Sequence, residues 1–228
     1  MRSPCEYCLI RLVDGGSLQD LESAAAAFAS TPAALRRKLD QALVFAAQRQ
    51  MLDAARILIS HGADVNAREP TLNRTPLIAA AYDASLDLAE LLLSHRAEVN
   101  AVDDFGNSAL NAAAEAGSRE LMALLMESGA EVDHRNDLRW TPLLSASASG
   151  NLAAIDVLTD AGASLGARSV LGWTPLIVAA QHEHLDAVSH LLNRGACMND
   201  TDSFGRTALA AAQMYPDISS VLREHTVQ

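Results

Sequence analysis

The chain has 228 residues, half of them apolar, and its 28 acidic and 17 basic residues give a formal net charge of −11. This charge argues against binding to nucleic acid or to anionic membrane surfaces, and three cysteines are too few for a disulfide framework. No apolar run is long enough for a membrane span, and Arg11 interrupts the only short apolar run near the N-terminus, so we expect a cytoplasmic protein without a signal peptide.

Residues 1–31 are predicted to form an N-terminal extension, an extra and degenerate helix pair packed on the array that follows. Apolar residues at helical spacing lie on both sides of Gly15-Gly16: Leu9, Leu12, Val13, Leu18, Leu21 and Phe28. Ser17 and Asp20 are spaced as a capping pair for the second helix. A loosely docked arm is the alternative interpretation.

Residues 32–48 are predicted to form one long helix. Thr31-Pro32 provides a start signal, and Leu35, Leu39 and Leu43 lie on one face. Charged residues at 36–38 lie outside that face. An apolar inner face and a charged outer face are what an N-terminal cap of a helical array requires.

A period of 33 residues governs the rest of the chain. It is marked by Thr75-Pro76-Leu77, Ser108-Ala109-Leu110, Thr141-Pro142-Leu143, Thr174-Pro175-Leu176 and Thr207-Ala208-Leu209. A fixed period of this length is typical of stacked units, none of which buries its own apolar face alone.

Each unit is predicted to contain two helices and a turn. Thr141 can cap a short helix that begins at Pro142 and ends near Gly150, and a second helix with an apolar stripe ends before Gly162. Asp-x-x-Gly turns then suit a tight hairpin, as at 103–106 and 202–205. The spacing lengthens to 34 residues between Ala63 and Ala97, and we expect the loop at 69–73 to bulge and to contribute to selectivity.

These motifs resemble the ankyrin repeat family. The matching signatures are Thr-Pro-Leu, the Ala-Ala pairs that follow it, and the segment from His61 to Ala67. The resemblance implies an all-α fold with short β-hairpin fingers, that is, an ankyrin-repeat α-solenoid of helix–turn–helix units over residues 32–228 with a capping repeat at each end. At the C-terminal end, an inward apolar face at Ile218, Val221 and Leu222 suggests a closing cap and a complete array.

The sequence departs from the family pattern in two ways. The histidine that usually follows Thr-Pro-Leu is replaced throughout, by Ile78, Asn111, Leu144, Ile177 and Ala210. Arg139 occupies a position where glycine is expected. Both departures concern the rigidity of the loops rather than the fold.

Three motifs resemble catalytic or metal sites only superficially. Cys5-x-x-Cys8 lacks a second cysteine pair to complete a zinc site, and His182-Glu183-His184 lacks the spacing of a helical zinc motif. The serines at 145, 147 and 149 lie inside a predicted inner helix and not on the strand-to-helix turn that exposes a nucleophile. We therefore expect a non-enzymatic protein with no cofactor and no bound metal.

Two sets of positions are not needed by the repeat scaffold: the finger tips with the residues just before each helix, and the ends of the inner helices. In the stacked geometry that the resemblance implies, both sets line the concave side. Exposed aromatic and arginine side chains are common sources of interface energy. The predicted protein-binding residues are Leu72, Arg74, Tyr82, Asp83, Phe105, Asn107, Glu115, Leu138, Trp140, Leu171, Trp173, His182, Phe204 and Arg206.

The predicted function is protein–protein interaction through this finger and inner-helix surface, as a stand-alone inhibitor or adaptor. A partner with a basic or apolar patch fits the acidic charge, and we expect a monomer. The alternative is a ligand-binding or metal-binding protein with its site at Cys5 and Cys8, for which the repeats are only a scaffold. A third hypothesis is self-association through the fingers or the caps.

Overall fold

The computed structural model describes residues 8–29 and 33–225, which form α-helices joined by turns. These residues divide into two compact units, one ending at Asp104 and the other beginning at Phe105. None of the described helices is both long and apolar enough to cross a membrane.

The first unit contains three helix pairs. Its helices are α1 (Cys8–Gly15), α2 (Leu18–Ala29), α3 (Ala33–Gln48), α4 (Leu52–Ser60), α5 (Pro76–Tyr82) and α6 (Leu86–Ser94). The inner helices α1, α3 and α5 pack side by side, and the outer helices α2, α4 and α6 form a second layer. Each pair is joined by contacts between its own two helices.

The second unit repeats this arrangement with four pairs. Its helices are α7 (Ala109–Ala116), α8 (Arg119–Glu127), α9 (Pro142–Ala148), α10 (Leu152–Asp160), α11 (Pro175–Gln181), α12 (Leu185–Asn193), α13 (Ala208–Ala211) and α14 (Pro216–His225). Odd-numbered helices again pack on odd-numbered ones and even on even. The predicted two-layer array of helix pairs is confirmed within each unit.

Inner helices begin where the 33-residue motif predicts. The hydroxyl of Thr141 accepts the backbone N–H of Leu144 at 3.4 Å, and the side chain of Thr141 is fully buried. The same cap recurs at Thr75, Ser108, Thr174 and Thr207. The cap satisfies an N–H that the first helical turn leaves unpaired, so the motif fixes the start of each inner helix.

The core is built from alanines and from larger apolar residues, and both layers contribute both kinds. Inner helices present alanines that are fully buried, as at Ala112 and Ala180. Outer helices contribute fully buried leucines, as at Leu92, Leu125 and Leu158. Alanine allows neighbouring inner helices to approach closely, and leucine fills the space between layers, which explains why this chain needs few aromatic residues.

Helices occupy both ends of the described residues. Ser17 and Asp20 cap α2, since the N–H of Asp20 donates to the Ser17 hydroxyl at 3.1 Å. The long helix predicted from residue 32 is α3, while Thr31-Pro32 lies outside the described residues. In α14, Ile218 and Leu222 are buried as expected of a closing cap. The division at residue 31 and the assignment of α1 and α2 as a degenerate repeat stay predictions.

The predicted fingers are tight turns closed by backbone hydrogen bonds, and in the last three of them the fourth residue also donates its N–H to the carbonyl of the first. The N–H of residue 136 donates to the carbonyl of Trp140 at 3.1 Å, and equivalent bonds close the fingers at 69–74, 169–173 and 202–206. The fourth residue of the turn has a positive φ in three fingers: +75° at Gly106, +74° at Gly172 and +75° at Gly205. Glycine adopts this conformation without steric strain.

Arg139 holds the same left-handed conformation, with a φ of +57°. An L-residue with a Cβ is strained there, whereas glycine is not. We therefore expect Arg139→Gly to raise the free energy of unfolding by about 0.5–1 kcal/mol, after the greater flexibility of glycine in the unfolded chain is subtracted. Urea denaturation measures the change, and Arg135→Gly, at an exposed position before the same turn, should not stabilise. If Arg139→Gly were less stable than the parent chain, Arg139 would not be strained in this conformation.

Candidate protein-binding site

A polar side chain at the start of each finger in the second unit holds the turn in shape. The Asn136 Oδ1 accepts the backbone N–H groups of Leu138 and Trp140, at 3.0 and 2.8 Å. Ser169 accepts the two equivalent N–H groups through its hydroxyl, both at 3.2 Å. Asp202 does the same through one carboxylate oxygen, at 2.8 and 2.9 Å. The finger tips are thus built on side chains 33 residues apart.

Successive finger tips are also joined through the main chain. The N–H of Asp137 donates to the carbonyl of Phe105, that of Val170 to Leu138, and that of Ser203 to Leu171, each at 3.0 Å. We call this run of bonds the tip ladder. Because it uses only backbone groups, it fixes the spacing of the tips without engaging their side chains.

The tips of the second unit carry a row of exposed apolar side chains. Phe105 is 54% exposed, Leu138 58%, Leu171 39% and Phe204 68%. We call these four residues the apolar row. Single exposed apolar residues are ordinary, but four at equivalent positions of adjoining fingers form a continuous patch of the kind used for recognition.

Both tryptophans are less exposed than the sequence predicts. Trp140 and Trp173 are half-buried and pack against a cluster formed by Leu144, Ala167 and Val178. The indole Nε1 of Trp173 is buried and has no hydrogen-bond acceptor within the described chain. Their main contribution is therefore to hold the fingers on the inner helices.

A groove of about 440 Å³ lies between these fingers and the inner helices of the second unit. It brings together five of the predicted residues: Asn107, Glu115, Leu138, Trp140 and His182. The Asn136 Nδ2 donates to Asn107 Oδ1 at 2.8 Å, which fixes the orientation of both amides. Glu115 and His182 are exposed, so the groove combines the apolar side chains of Leu138 and Trp140 with one carboxylate and one imidazole.

At the last finger, Arg206 is held by its own unit. Its Nη2 lies 2.7 Å from the buried carboxylate of Asp202, and its guanidinium lies 5.2 Å from the centre of the Phe204 ring. Arg206 therefore shields one face of Phe204, and both residues depend on Asp202 for their backbone geometry.

The remaining four predicted residues belong to the first unit. The guanidinium of Arg74 stacks on Tyr82, 4.3 Å from the ring centre, and its Nε lies 3.6 Å from the buried carboxylate of Asp103. Leu72 is half-buried, and its carbonyl accepts the N–H of Asp104 at 3.0 Å. Asp83 is exposed at the end of α5. Arg74 and Tyr82 thus form an intramolecular contact on this unit.

Sequence reasoning placed Asp202 in an Asp-x-x-Gly turn but missed Asn136 and Ser169 as residues that shape the fingers. All three recur at the repeat period and are residue types whose side chains accept backbone N–H groups, and this pattern could have identified them. Asn111 was noted only as a departure from the family. Its Nδ2 donates to the Trp140 carbonyl at 3.3 Å, so it links an inner helix to the next finger.

The motifs that suggested other chemistry have structural roles or lie outside the description. Cys5 is not among the described residues, and of Cys8 only the backbone is described, as the start of α1. The His184 Nε2 donates to the Ala148 carbonyl at 2.8 Å, and the serine hydroxyl at 147 donates to the carbonyl of Leu143. Among the described residues, no three histidine, cysteine or acidic side chains are arranged to hold a metal ion.

Comparison with known families gives one result. A model of ankyrin repeats matches the chain in three copies, over residues 21–103, 96–169 and 146–227. No curated protein sequence matches significantly. Ankyrin repeats generally serve as protein–protein interaction modules and are typically non-enzymatic. The match covers most of the chain and agrees with the capped helix pairs described above: the protein belongs to the ankyrin repeat family.

Proposed function

We propose that this protein binds a partner protein through the apolar row and the adjoining groove of its second unit. The observation that carries the proposal is the exposure of Phe105, Leu138, Leu171 and Phe204 at equivalent positions of a tip ladder whose hydrogen bonds join backbone groups only. Burying such side chains in an interface gains free energy without rearranging the scaffold.

The charge of the second unit indicates the kind of partner. This unit has fourteen acidic and seven basic residues. The groove beside the apolar row has Glu115 at its rim and no lysine or arginine in its lining. A partner with an apolar centre and a basic border is therefore the best complement, since opposite charges at the rim speed association and select the partner.

The mode of action we propose is occupancy, without catalysis. The protein acts as an inhibitor or adaptor that blocks or recruits its partner, and it works as a monomer in the cytoplasm. Support comes from the half-buried tryptophans and fixed asparagine amides, which make the surface rigid before binding and so reduce the entropy lost on association.

The test is capture of partner proteins by the purified chain and by a variant of the apolar row. We expect Leu138→Ser combined with Phe204→Ser to weaken capture by about 30-fold or more, because each exposed anchor contributes on the order of 2 kcal/mol at an interface centre. Both side chains are exposed, so the thermal unfolding midpoint should remain close to that of the parent chain.

Leu152→Ser is the matched control, because Leu152 is a 36% exposed leucine on an outer helix of the same unit. It should leave capture unchanged. Equal capture by the parent chain and the double variant would refute the apolar row as the binding site. Equal loss in the Leu152→Ser control would show that capture follows general surface hydrophobicity and not this row.

A further inference from the structure

A second pocket, of about 490 Å³, lies in the first unit, between α1, α3 and the first finger. Its walls are largely apolar and come from Ile10, Val44, Phe45 and Pro70. It belongs to a different unit from the apolar row, and its lining includes part of the 69–73 loop, which the sequence predicts to contribute to selectivity. The pocket has room for one long side chain of a partner polypeptide.

The carboxylate of Glu69 borders this pocket and is buried, with the residue only 9% exposed. It accepts a hydrogen bond from the Gln48 Nε2. Within residues 8–29 and 33–225 it forms no ion pair. A buried carboxylate that lacks a counter-ion is unfavourable unless a cation can reach it.

The one arginine among the described residues that line the pocket donates hydrogen bonds to backbone carbonyls. Arg68 also borders the pocket, but its Nη1 donates to the carbonyls of Asn73 and Val102, at 2.9 and 2.7 Å. Its guanidinium therefore braces the first finger against the following loop of the same unit and leaves the carboxylate of Glu69 unneutralised.

The lengthened first finger explains why Glu69 is available. Glu69 occupies the repeat position that Asn136, Ser169 and Asp202 occupy in later fingers, where the side chain accepts the N–H groups of its own finger. The extra residue of the 69–73 loop breaks this pattern. Glu69 accepts no N–H of its finger and turns its carboxylate to Gln48 at the pocket. The side chain that shapes the turn in other repeats is not used for the turn at Glu69, so its carboxylate can face a ligand.

We propose that this pocket binds a lysine or arginine side chain of a partner polypeptide, with the alkyl stem against the apolar walls and the cationic head on Glu69. Both parts of such a side chain match the pocket. Long basic side chains bury their methylene groups against apolar surfaces and keep a charged end. A charge-assisted hydrogen bond to a shielded carboxylate is stronger than one in open water. This site goes beyond the apolar row and adds a second contact on the first unit.

The experiment compares two tripeptides that differ only in the cationic head: acetyl-Gly-Lys-Gly-amide and acetyl-Gly-norleucine-Gly-amide. Each is titrated into the full chain, and NMR follows the backbone amides of Val44, Phe45 and Gln48. We expect the lysine peptide to bind about tenfold more tightly or better, which is the lower end of the effect of one hydrogen bond to a charged group. An acetyl-Gly-Arg-Gly-amide arm should show the same preference.

Two variants distinguish binding of the lysine peptide in the pocket from non-specific attraction of a cationic peptide to an acidic protein. Glu69→Gln keeps the shape and the acceptor for Gln48 but removes the charge, so it should abolish the preference for lysine over norleucine. Glu98→Gln, which removes an exposed carboxylate of the same unit, should keep it. Equal binding of the two peptides, binding of neither, or a preference that persists in Glu69→Gln would each overturn the proposal. Because the apolar row lies in the other unit, its test can succeed or fail independently.

Discussion

Replacing Trp140 with alanine is expected to lower the free energy of unfolding by about 2–3 kcal/mol, at the lower end of the range for large buried side chains. The indole is half-buried against Leu144, Ala167 and Val178, and its removal leaves a space that the rigid inner helices cannot close. Trp173→Ala should have a similar effect because it packs on the same cluster. Urea unfolding followed by far-ultraviolet circular dichroism measures both changes.

The matched control is Leu138→Ala, two residues earlier in the same finger. Leu138 is 58% exposed, so its truncation should change stability by no more than about 0.5 kcal/mol. If Trp140→Ala proved as stable as the parent chain, the indole would be free in solution, as the sequence alone suggests. This result matters for function, because a binding defect in Trp140→Ala would reflect a displaced finger as well as a lost contact.

Removing the carboxylate of Asp202 is expected to have the second large effect. Asp202→Ala leaves the N–H groups of Phe204 and Arg206 without their acceptor and breaks the ion pair to Arg206. Two partly buried donors that lose an ionised acceptor correspond to about 2 kcal/mol of stability. Asp202→Asn keeps one acceptor oxygen in place and should lose clearly less at neutral pH.

The pH dependence of this pair of variants has a defined sign. Burial raises the pKa of Asp202, but hydrogen bonds from the Arg206 N–H, the Arg206 guanidinium and the Phe204 N–H outweigh it, so the pKa lies below its usual value of 3.8. A carboxyl whose pKa is lowered by folding stabilises the protein above its unfolded pKa, and this contribution is lost as the pH falls through the folded value.

The stability difference between the parent chain and Asp202→Asn should therefore be full at pH 6 and shrink as the pH is lowered below about 4. Urea unfolding at a series of pH values measures it. Asp186→Asn, which removes an exposed carboxylate of the same unit, controls for the general change in charge. A difference that stays constant down to acidic pH would show that Asp202 does not act through its charge.

The regular part of this fold could be predicted from the sequence because it depends on local signals. Thr141 and Pro142 start an inner helix through local effects. The threonine hydroxyl accepts an N–H of the first helical turn, and the fixed φ of proline already has the helical value. The 33-residue period was therefore enough to predict the positions of the helix pairs. The glycine of the Asp-x-x-Gly turns likewise predicted the positive φ at Gly106 and Gly205.

The exposure of the finger residues could not be predicted in the same way. Trp140 and Leu138 are two residues apart and equally apolar, yet one packs on Leu144 and the other faces water. The difference depends on what the neighbouring inner helices present, a property of the stack that no single repeat contains. The orientation of Glu69 could not be predicted either. The extra loop residue predicted a bulge, but not the direction in which the carboxylate would turn.

The tip ladder has a consequence for how this surface can change. Its bonds join main-chain atoms of Asp137, Val170 and Ser203 to the preceding tips, so they do not depend on which side chain stands at a tip. Mutation at the four positions of the apolar row can therefore alter the recognition repertoire while the scaffold stays intact. A combinatorial library varied only at those codons would be expected to yield folded proteins with new specificities.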